Sequence, residues 1–113
     1  LVIYLIFEKF PVNYRPVLID GKLEASFPSS HTILGICVCA SSMIINKMKY
    51  NNEKTKKMNI FSLIVMILLI LGRTISGVHW ISDIFGGIIF SITIIYCFYT
   101  VLCLLKEQEW IIN

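Results

Sequence analysis

The stretch IFSLIVMILLIL at residues 60–71 contains a single polar residue, Ser62, among apolar side chains. A helix that is apolar all round has no face for water, so lipid or protein must surround it. This segment continues to about Thr74. A second one extends from near Trp80 to Leu105 and is long enough to cross a bilayer with some tilt. Both segments therefore predict membrane-spanning helices.

The composition of the whole chain also indicates a membrane protein. Of its 113 residues, 57% are hydrophobic and 15% are charged, whereas a soluble domain usually carries about 25% charged residues. The net charge of +3 is too small to suggest a nucleic-acid partner, and no secretory signal with a cleavage site is visible. We therefore expect membrane lipids, and no nucleic acid, as partners.

Two further apolar segments precede these, at Leu1–Phe7 and at about residues 29–46. Together the segments predict an all-α, integral-membrane helical bundle with about three full transmembrane helices and the end of a fourth. Because the sequence starts inside an apolar run without Met, we expect residues 1–113 to form a single membrane-embedded domain that is the C-terminal part of a larger one.

The lysines are concentrated in the connection Asn46–Asn59, which carries five of them against one acid, Glu53. An excess of Lys and Arg marks cytoplasmic loops, so we expect this connection to face inward. The second segment then begins on the extracytoplasmic side of the cell membrane, and the third segment ends on that side. Five ionisable residues would share this extracytoplasmic side: Arg15, His31, Arg73, His79 and Asp83.

Ionisable side chains are costly in a membrane, so their presence at helix ends is a hypothesis of function. His79 and Asp83 are four residues apart at the start of the fourth helix. At this spacing the carboxylate can accept a hydrogen bond from one ring nitrogen, and the other ring nitrogen then keeps a free lone pair. Two guanidinium groups can bind a phosphate, and two imidazoles can supply a nucleophile and an acid. This set predicts a phosphoryl-transfer site.

Residues 28–31, Pro-Ser-Ser-His, place hydroxyls and free backbone N–H groups at a helix N-terminus, which suits an anion. Ser29 and Ser30 could equally be plain helix caps. A charged His31 in the first turn is disfavoured by the helix dipole, and a bound phosphate would offset that cost.

The other charged residues also have plain structural interpretations. Asp83 could simply stabilise a helix N-terminus, and Arg73 could extend to lipid headgroups. His31, His79 and Asp83 could form a two-His-one-carboxylate metal set. Two arginines would repel a divalent cation and attract phosphate, so we predict neither a metal nor another cofactor.

The three motifs resemble those of the type 2 phosphatidic-acid phosphatase superfamily, which read K-x6-R-P, P-S-G-H and S-R-x5-H-x3-D. Here they are Arg15-Pro16, Pro28-Ser29-Ser30-His31 and Arg73-x5-His79-x3-Asp83, and the resemblance covers about residues 8–90.

This resemblance implies a metal-independent phosphatase, built from usually six membrane helices, that acts on a lipid phosphomonoester or diphosphate. His79 would be the nucleophile that forms a phosphohistidine, Asp83 would orient it, and His31 would be the general acid. Phosphate binding would fall to Arg15, Arg73, Ser29, Ser30 and Lys9.

Three positions depart from the family pattern. Glu8 stands where the motif has lysine, with Lys9 one residue later; Ser30 replaces the motif glycine; and Gly72 replaces the serine before Arg73. Two alternatives stay open at this point. One is a lipid phosphotransferase that uses the same site, and the other is a non-catalytic membrane scaffold that retains the pocket.

Overall fold

Four helices make up most of the computed structural model, which describes residues 2–50 and 52–112, with side chains up to residue 107 in the last helix. The helices are α1 (Val2–Lys9), α2 (Ser30–Lys49), α3 (Glu53–Ile75) and α4 (Ile81–Ile112). Within these described residues, three helical segments are long and apolar enough to cross a membrane: Ser30–Lys49, Glu53–Ile75 and Ile81–Glu107. The predicted all-α membrane bundle is confirmed.

Helix α2 lies between α3 and α4 and packs against both. Gly87 of α4 makes the close approach to α2 possible, because a Cβ there would lie 3.1 Å from the backbone oxygen of Ser29 and 3.0 Å from Cβ of Thr32. Small residues at such crossings are common between membrane helices. The start of α4 is thereby held against the start of α2.

Burial is inverted relative to a soluble protein. Ser29, Thr32, Asp83 and Ser91 are fully buried, whereas most large apolar side chains of α2, α3 and α4 are half-buried or exposed. Helices that face lipid tails can leave apolar side chains outside and satisfy polar ones between helices. The hydroxyls of Thr32 and Ser91 bond locally, to Oγ of Ser29 and to the carbonyl of Gly87, so small polar side chains fill the space between these helices.

The predicted connection Asn46–Asn59 was too long. Helix α2 continues to Lys49 and α3 already begins at Glu53. The side chain of Asn52 accepts a hydrogen bond from the backbone N–H of Thr55 at 2.9 Å, which caps α3. Apolarity alone located the membrane segment, but this cap starts the helix about two turns earlier, within the charged sequence.

Residues 13–26 form a short antiparallel hairpin, here called the site hairpin. The backbone N–H of Arg15 donates to the carbonyl of Glu24 at 3.0 Å. At its tip, Asp20 and Gly21 have φ values of 49° and 72°, the left-handed pair that a two-residue hairpin turn requires. The hairpin carries Arg15 over the end of the bundle where α2 and α4 begin.

Candidate active site

Arg15, His79 and Asp83 converge where α2 and α4 begin. His79 lies two residues before α4 and is 7% exposed, and Asp83, in the first turn, is fully buried. Nη1 of Arg15 is 3.4 Å from Nε2 of His79. On the other side of the ring, Nδ1 is 3.6 Å from Oδ2 of Asp83. The imidazole is thus placed between a guanidinium and a carboxylate.

Asp83 has a structural role in addition to its position behind His79. Its Oδ2 accepts a hydrogen bond from the backbone N–H of Trp80 at 2.9 Å, as the third residue of a helix does in a capping box. Its carbonyl accepts from the backbone N–H of Ser29 at 3.1 Å. The 3.6 Å approach to His79 is longer than a hydrogen bond, so Asp83 both starts α4 and faces the ring.

The surroundings of His79 favour its neutral form. Burial lowers the pKa of His79, the charges of Arg15 and Arg73 lower it further, and Asp83 opposes them. A neutral imidazole carries one N–H and one lone pair. The tautomer that suits both neighbours has its proton on Nδ1, towards Asp83, and its lone pair on Nε2, towards Arg15.

A pocket of about 640 Å³ opens beside this ring. Four of the predicted site residues line it: Lys9, Arg15, Ser30 and His79. The α2 N-terminus borders the pocket, and its N-cap residue, Ser29, makes no side-chain capping bond. The first-turn N–H groups of α2 thus have no side-chain cap, and anion binding there stays a prediction.

Two predicted residues, His31 and Arg73, make no direct polar contact with His79. His31 is exposed in the first turn of α2, and Arg73 is half-buried in the last turn of α3. No hydrogen bond or ion pair joins His31 or Arg73 to His79 within residues 2–50 and 52–112.

Ser29 lies behind the pocket and does not line it. Its side chain is fully buried, and its Oγ accepts a hydrogen bond from Oγ1 of Thr32 at 3.0 Å. Its backbone N–H is occupied by Asp83. In this arrangement Ser29 joins α2 to α4, and its predicted role in phosphate binding stays a prediction.

Two residues that the sequence did not single out for the site hold Arg15 in place. Oε2 of Glu24 is 3.2 Å from Nε of Arg15, and the indole N–H of Trp80 donates to the carbonyl of Tyr14 at 2.8 Å. An Asp-Gly pair between apolar residues is a hairpin signal, so the sequence Asp20-Gly21 could have predicted that the chain folds back near Arg15. A regular two-residue turn would place Arg15 opposite Ser26, whereas the bridge between Tyr14 and Ala25 places it opposite Glu24, so the turn signal alone does not predict this pairing. No comparable signal exists for the indole of Trp80.

The sequence pattern of the PAP2 superfamily matches residues 6–105, a range that includes Arg15, His79 and Asp83. The chain belongs to the PAP2 superfamily. This confirms the predicted membership in the type 2 phosphatidic-acid phosphatase superfamily.

One relative of this PAP2 protein is phosphatidylglycerophosphatase B of Bacillus subtilis (strain 168), which is 27% identical over 82 residues. That alignment covers 71% of this chain and 39% of the relative, so the chain spans less than half of the relative's length. No solved structure matches the chain.

Proposed function

We propose that this PAP2 protein is a membrane lipid-phosphate phosphatase that hydrolyses a phosphomonoester or diphosphate of a lipid through a phosphohistidine at His79. The observation that carries the proposal is the placement of His79, with Arg15 3.4 Å from Nε2 and Asp83 3.6 Å from Nδ1. A buried neutral imidazole has a free lone pair, and the neighbouring guanidinium attracts the phosphate that it would attack.

In the proposed reaction, the phosphoryl group enters the pocket beside His79 and replaces the direct contact between His79 and Arg15. Fixed donors on several sides neutralise its oxygens and need no rearrangement as charge develops. We assign this binding to Arg15, Arg73, Lys9, Ser30 and the first N–H groups of α2, with Ser29 as the remaining predicted member.

The first chemical step forms a bond between Nε2 of His79 and phosphorus while the bond from phosphorus to the lipid oxygen breaks. His31 gives its proton to the departing oxygen, so the lipid leaves as an alcohol from a phosphomonoester and as a lipid phosphate from a diphosphate. The ring of His79 becomes positively charged during attack, and the Asp83 carboxylate behind Nδ1 stabilises that charge.

The second step returns the enzyme to its starting state. His31, now neutral, takes a proton from a water molecule as the water oxygen attacks phosphorus. The bond to Nε2 of His79 breaks and inorganic phosphate leaves. The arginines supply the positive charge that a metal ion would otherwise provide, so we propose a metal-independent reaction.

We place the substrate's tail among the membrane helices and its phosphate at the end of the bundle where α2 and α4 begin, on the extracytoplasmic side. Residues 1–113 would then be part of one larger membrane-embedded phosphatase domain. The name of the Bacillus relative makes phosphatidylglycerophosphate one natural candidate substrate, beside phosphatidate and polyprenyl diphosphates.

The test compares the wild type with His79→Gln, both purified in detergent, on a panel of these lipid phosphates by release of inorganic phosphate. We expect the wild type to turn over at least one of them and the variant to lose at least about 1,000-fold, because no nucleophile remains. Brief reaction with labelled substrate should leave acid-labile phosphate on the wild type and none on the variant.

Matching thermal midpoints of the two proteins would show that the variant is folded. Near-normal turnover by folded His79→Gln would contradict the assignment of the nucleophile. Loss of wild-type activity in a chelator, restored by a divalent metal, would contradict the metal-independent reaction.

A further inference from the structure

Five buried polar side-chain atoms lack a hydrogen-bond partner among the described residues, and four of them belong to predicted site residues. The fifth is Oγ of Ser26, a residue that is 2% exposed and that no motif includes. A buried hydroxyl without a partner is destabilising, so such groups in native proteins usually serve a ligand, a water molecule or catalysis. Because the other four atoms belong to Arg15, Arg73, His79 and Asp83, Ser26 is a candidate for the same site.

The position of Ser26 agrees with this. Ser26 lines the pocket of about 640 Å³ together with Arg15, Ser30 and His79. Its backbone N–H donates to the carbonyl of Asn13 at 2.9 Å, which fixes the residue in the second arm of the site hairpin. Ser26 is thus a lining residue of the pocket held by its own backbone, and its buried hydroxyl has no hydrogen-bond partner among the described residues.

The geometry of the site hairpin explains why Ser26 and Arg15 share a face. Arg15 pairs with Glu24 across the hairpin through their backbones and through the 3.2 Å ion pair, so their side chains lie on the same side. Residues two apart in an extended strand also point to the same side. Ser26 follows Glu24 by two, and its side chain therefore faces the way that Arg15 does.

We propose that the hydroxyl of Ser26 is a further binding group for the phosphoryl dianion, donating to one of its non-bridging oxygens beside the Arg15 guanidinium. The proposal rests on the proposed phosphatase function for its substrate. The same donor would serve a phosphate carried by a lipid and a free inorganic phosphate. Binding of free phosphate and turnover of a lipid phosphate are therefore measured separately.

The first measurement is binding of orthovanadate and inorganic phosphate to the detergent-solubilised protein by calorimetry and thermal shift. Removing a donor to a charged acceptor should weaken this binding about tenfold or more in Ser26→Ala. The midpoint of the ligand-free variant should stay the same or rise, because an unpaired buried hydroxyl has been removed. A merely structural hydroxyl would instead lower the ligand-free midpoint and leave the affinity unchanged.

The second measurement is turnover of the lipid phosphate identified with the wild type. We expect kcat/KM of Ser26→Ala to fall by about tenfold or more, and Ser26→Cys, which keeps the shape with a weaker donor, to lie between Ser26→Ala and the wild type. The matched control is Ser41→Ala, which removes a hydroxyl bonded within α2 to the carbonyl of Cys37 and should change neither affinity nor turnover.

The outcomes separate the two proposals. If the wild type hydrolyses no lipid phosphate, the proposed function fails, and the binding measurement still decides the role of Ser26. If Ser26→Ala and Ser26→Cys bind vanadate and phosphate as the wild type does, the Ser26 assignment is overturned and the phosphatase proposal is unaffected.

Discussion

At His79, burial and two guanidinium charges act in the same direction, because both disfavour a proton on a ring that water barely reaches. Asp83 opposes them from 3.6 Å. An imidazole in contact with Asp83 alone would hold its proton more tightly and would be a poorer nucleophile near neutral pH. In the proposed reaction Arg15 thus serves two purposes, since it would attract phosphate and keep Nε2 of His79 unprotonated.

This balance predicts the pH dependence of the reaction. The ordinary pKa of histidine is 6.5, and that of His79 is lowered, so the ring loses its lone pair only as pH falls below 6.5. We expect the acid limb of kcat/KM to lie below that value. Arg73→Gln removes a positive charge and should raise the pKa of His79, which moves the acid limb to higher pH.

NMR titration of histidine-labelled protein measures the pKa of His79 in the wild type and in Arg73→Gln. The residual activity of Arg73→Gln is followed over the same pH range to locate its acid limb. The Tyr96→Phe variant, altered at an exposed position of α4, is the control and should keep the wild-type profile. An acid limb that stays in place, or that moves to lower pH in Arg73→Gln, would contradict this account of the His79 pKa.

Among the elements, a side-chain hydrogen bond joins the site hairpin to the residue before α4, from the indole N–H of Trp80 to the carbonyl of Tyr14 at 2.8 Å. Tyr14 precedes Arg15 and Trp80 follows His79, so this bond links the neighbours of the two residues that meet in the pocket. The backbone N–H of Trp80 also donates a hydrogen bond to the carboxylate of Asp83. Trp80 therefore helps to fix the distance between His79 and Arg15.

We predict that Trp80→Phe, which keeps an aromatic ring but loses the N–H donor, lowers kcat/KM about fivefold, corresponding to roughly 1 kcal/mol for one hydrogen bond. Amide hydrogen exchange should quicken in residues 13–26 and stay unchanged in α3. Tyr96→Phe again serves as the control. Unchanged exchange in the hairpin would show that this bond does not hold it.

The elements also show what the sequence could predict and what it could not. Apolarity located the membrane segments of α2, α3 and α4, because lipid requires it along the whole span. It missed the start of α3, where the Asn52 cap makes charged residues helical. The contact of Arg15 with His79 joins residues 64 apart in sequence, and it depends on the site hairpin and on the helix approach at Gly87. The prediction that these residues lie on the same side of the membrane implied that they are close together, but it could not give the distances between them.

Across the whole molecule, the two ends of the bundle differ in chemistry. The site hairpin, the start of α2 and the start of α4 share one end, as the bonds from Ser29 to Asp83 and from Trp80 to Tyr14 show. At the other end the amide of Asn46 donates to Asn59 at 3.1 Å, which fixes α2 against α3. The lysine-rich sequence lies at that second end, so the pocket and the lysines are separated by the length of the helices.

This separation makes the orientation in the membrane testable. Lysine-rich ends stay in the cytoplasm, so the pocket end should face outward. In the full-length protein with Cys37, Cys39, Cys97 and Cys103 replaced by serine or alanine, we introduce one cysteine at either of two exposed positions, Leu18 in the site hairpin or Lys54 near the start of α3.

A membrane-impermeant maleimide added to intact cells should label Leu18→Cys and spare Lys54→Cys, and permeabilised cells should label both. The second condition controls for a cysteine that is merely unreactive. The reverse pattern would mean that the positive charge of this chain does not set its orientation. It would also place phosphate release on the cytoplasmic side, so that the lipid phosphate would have to reach His79 from the inner leaflet.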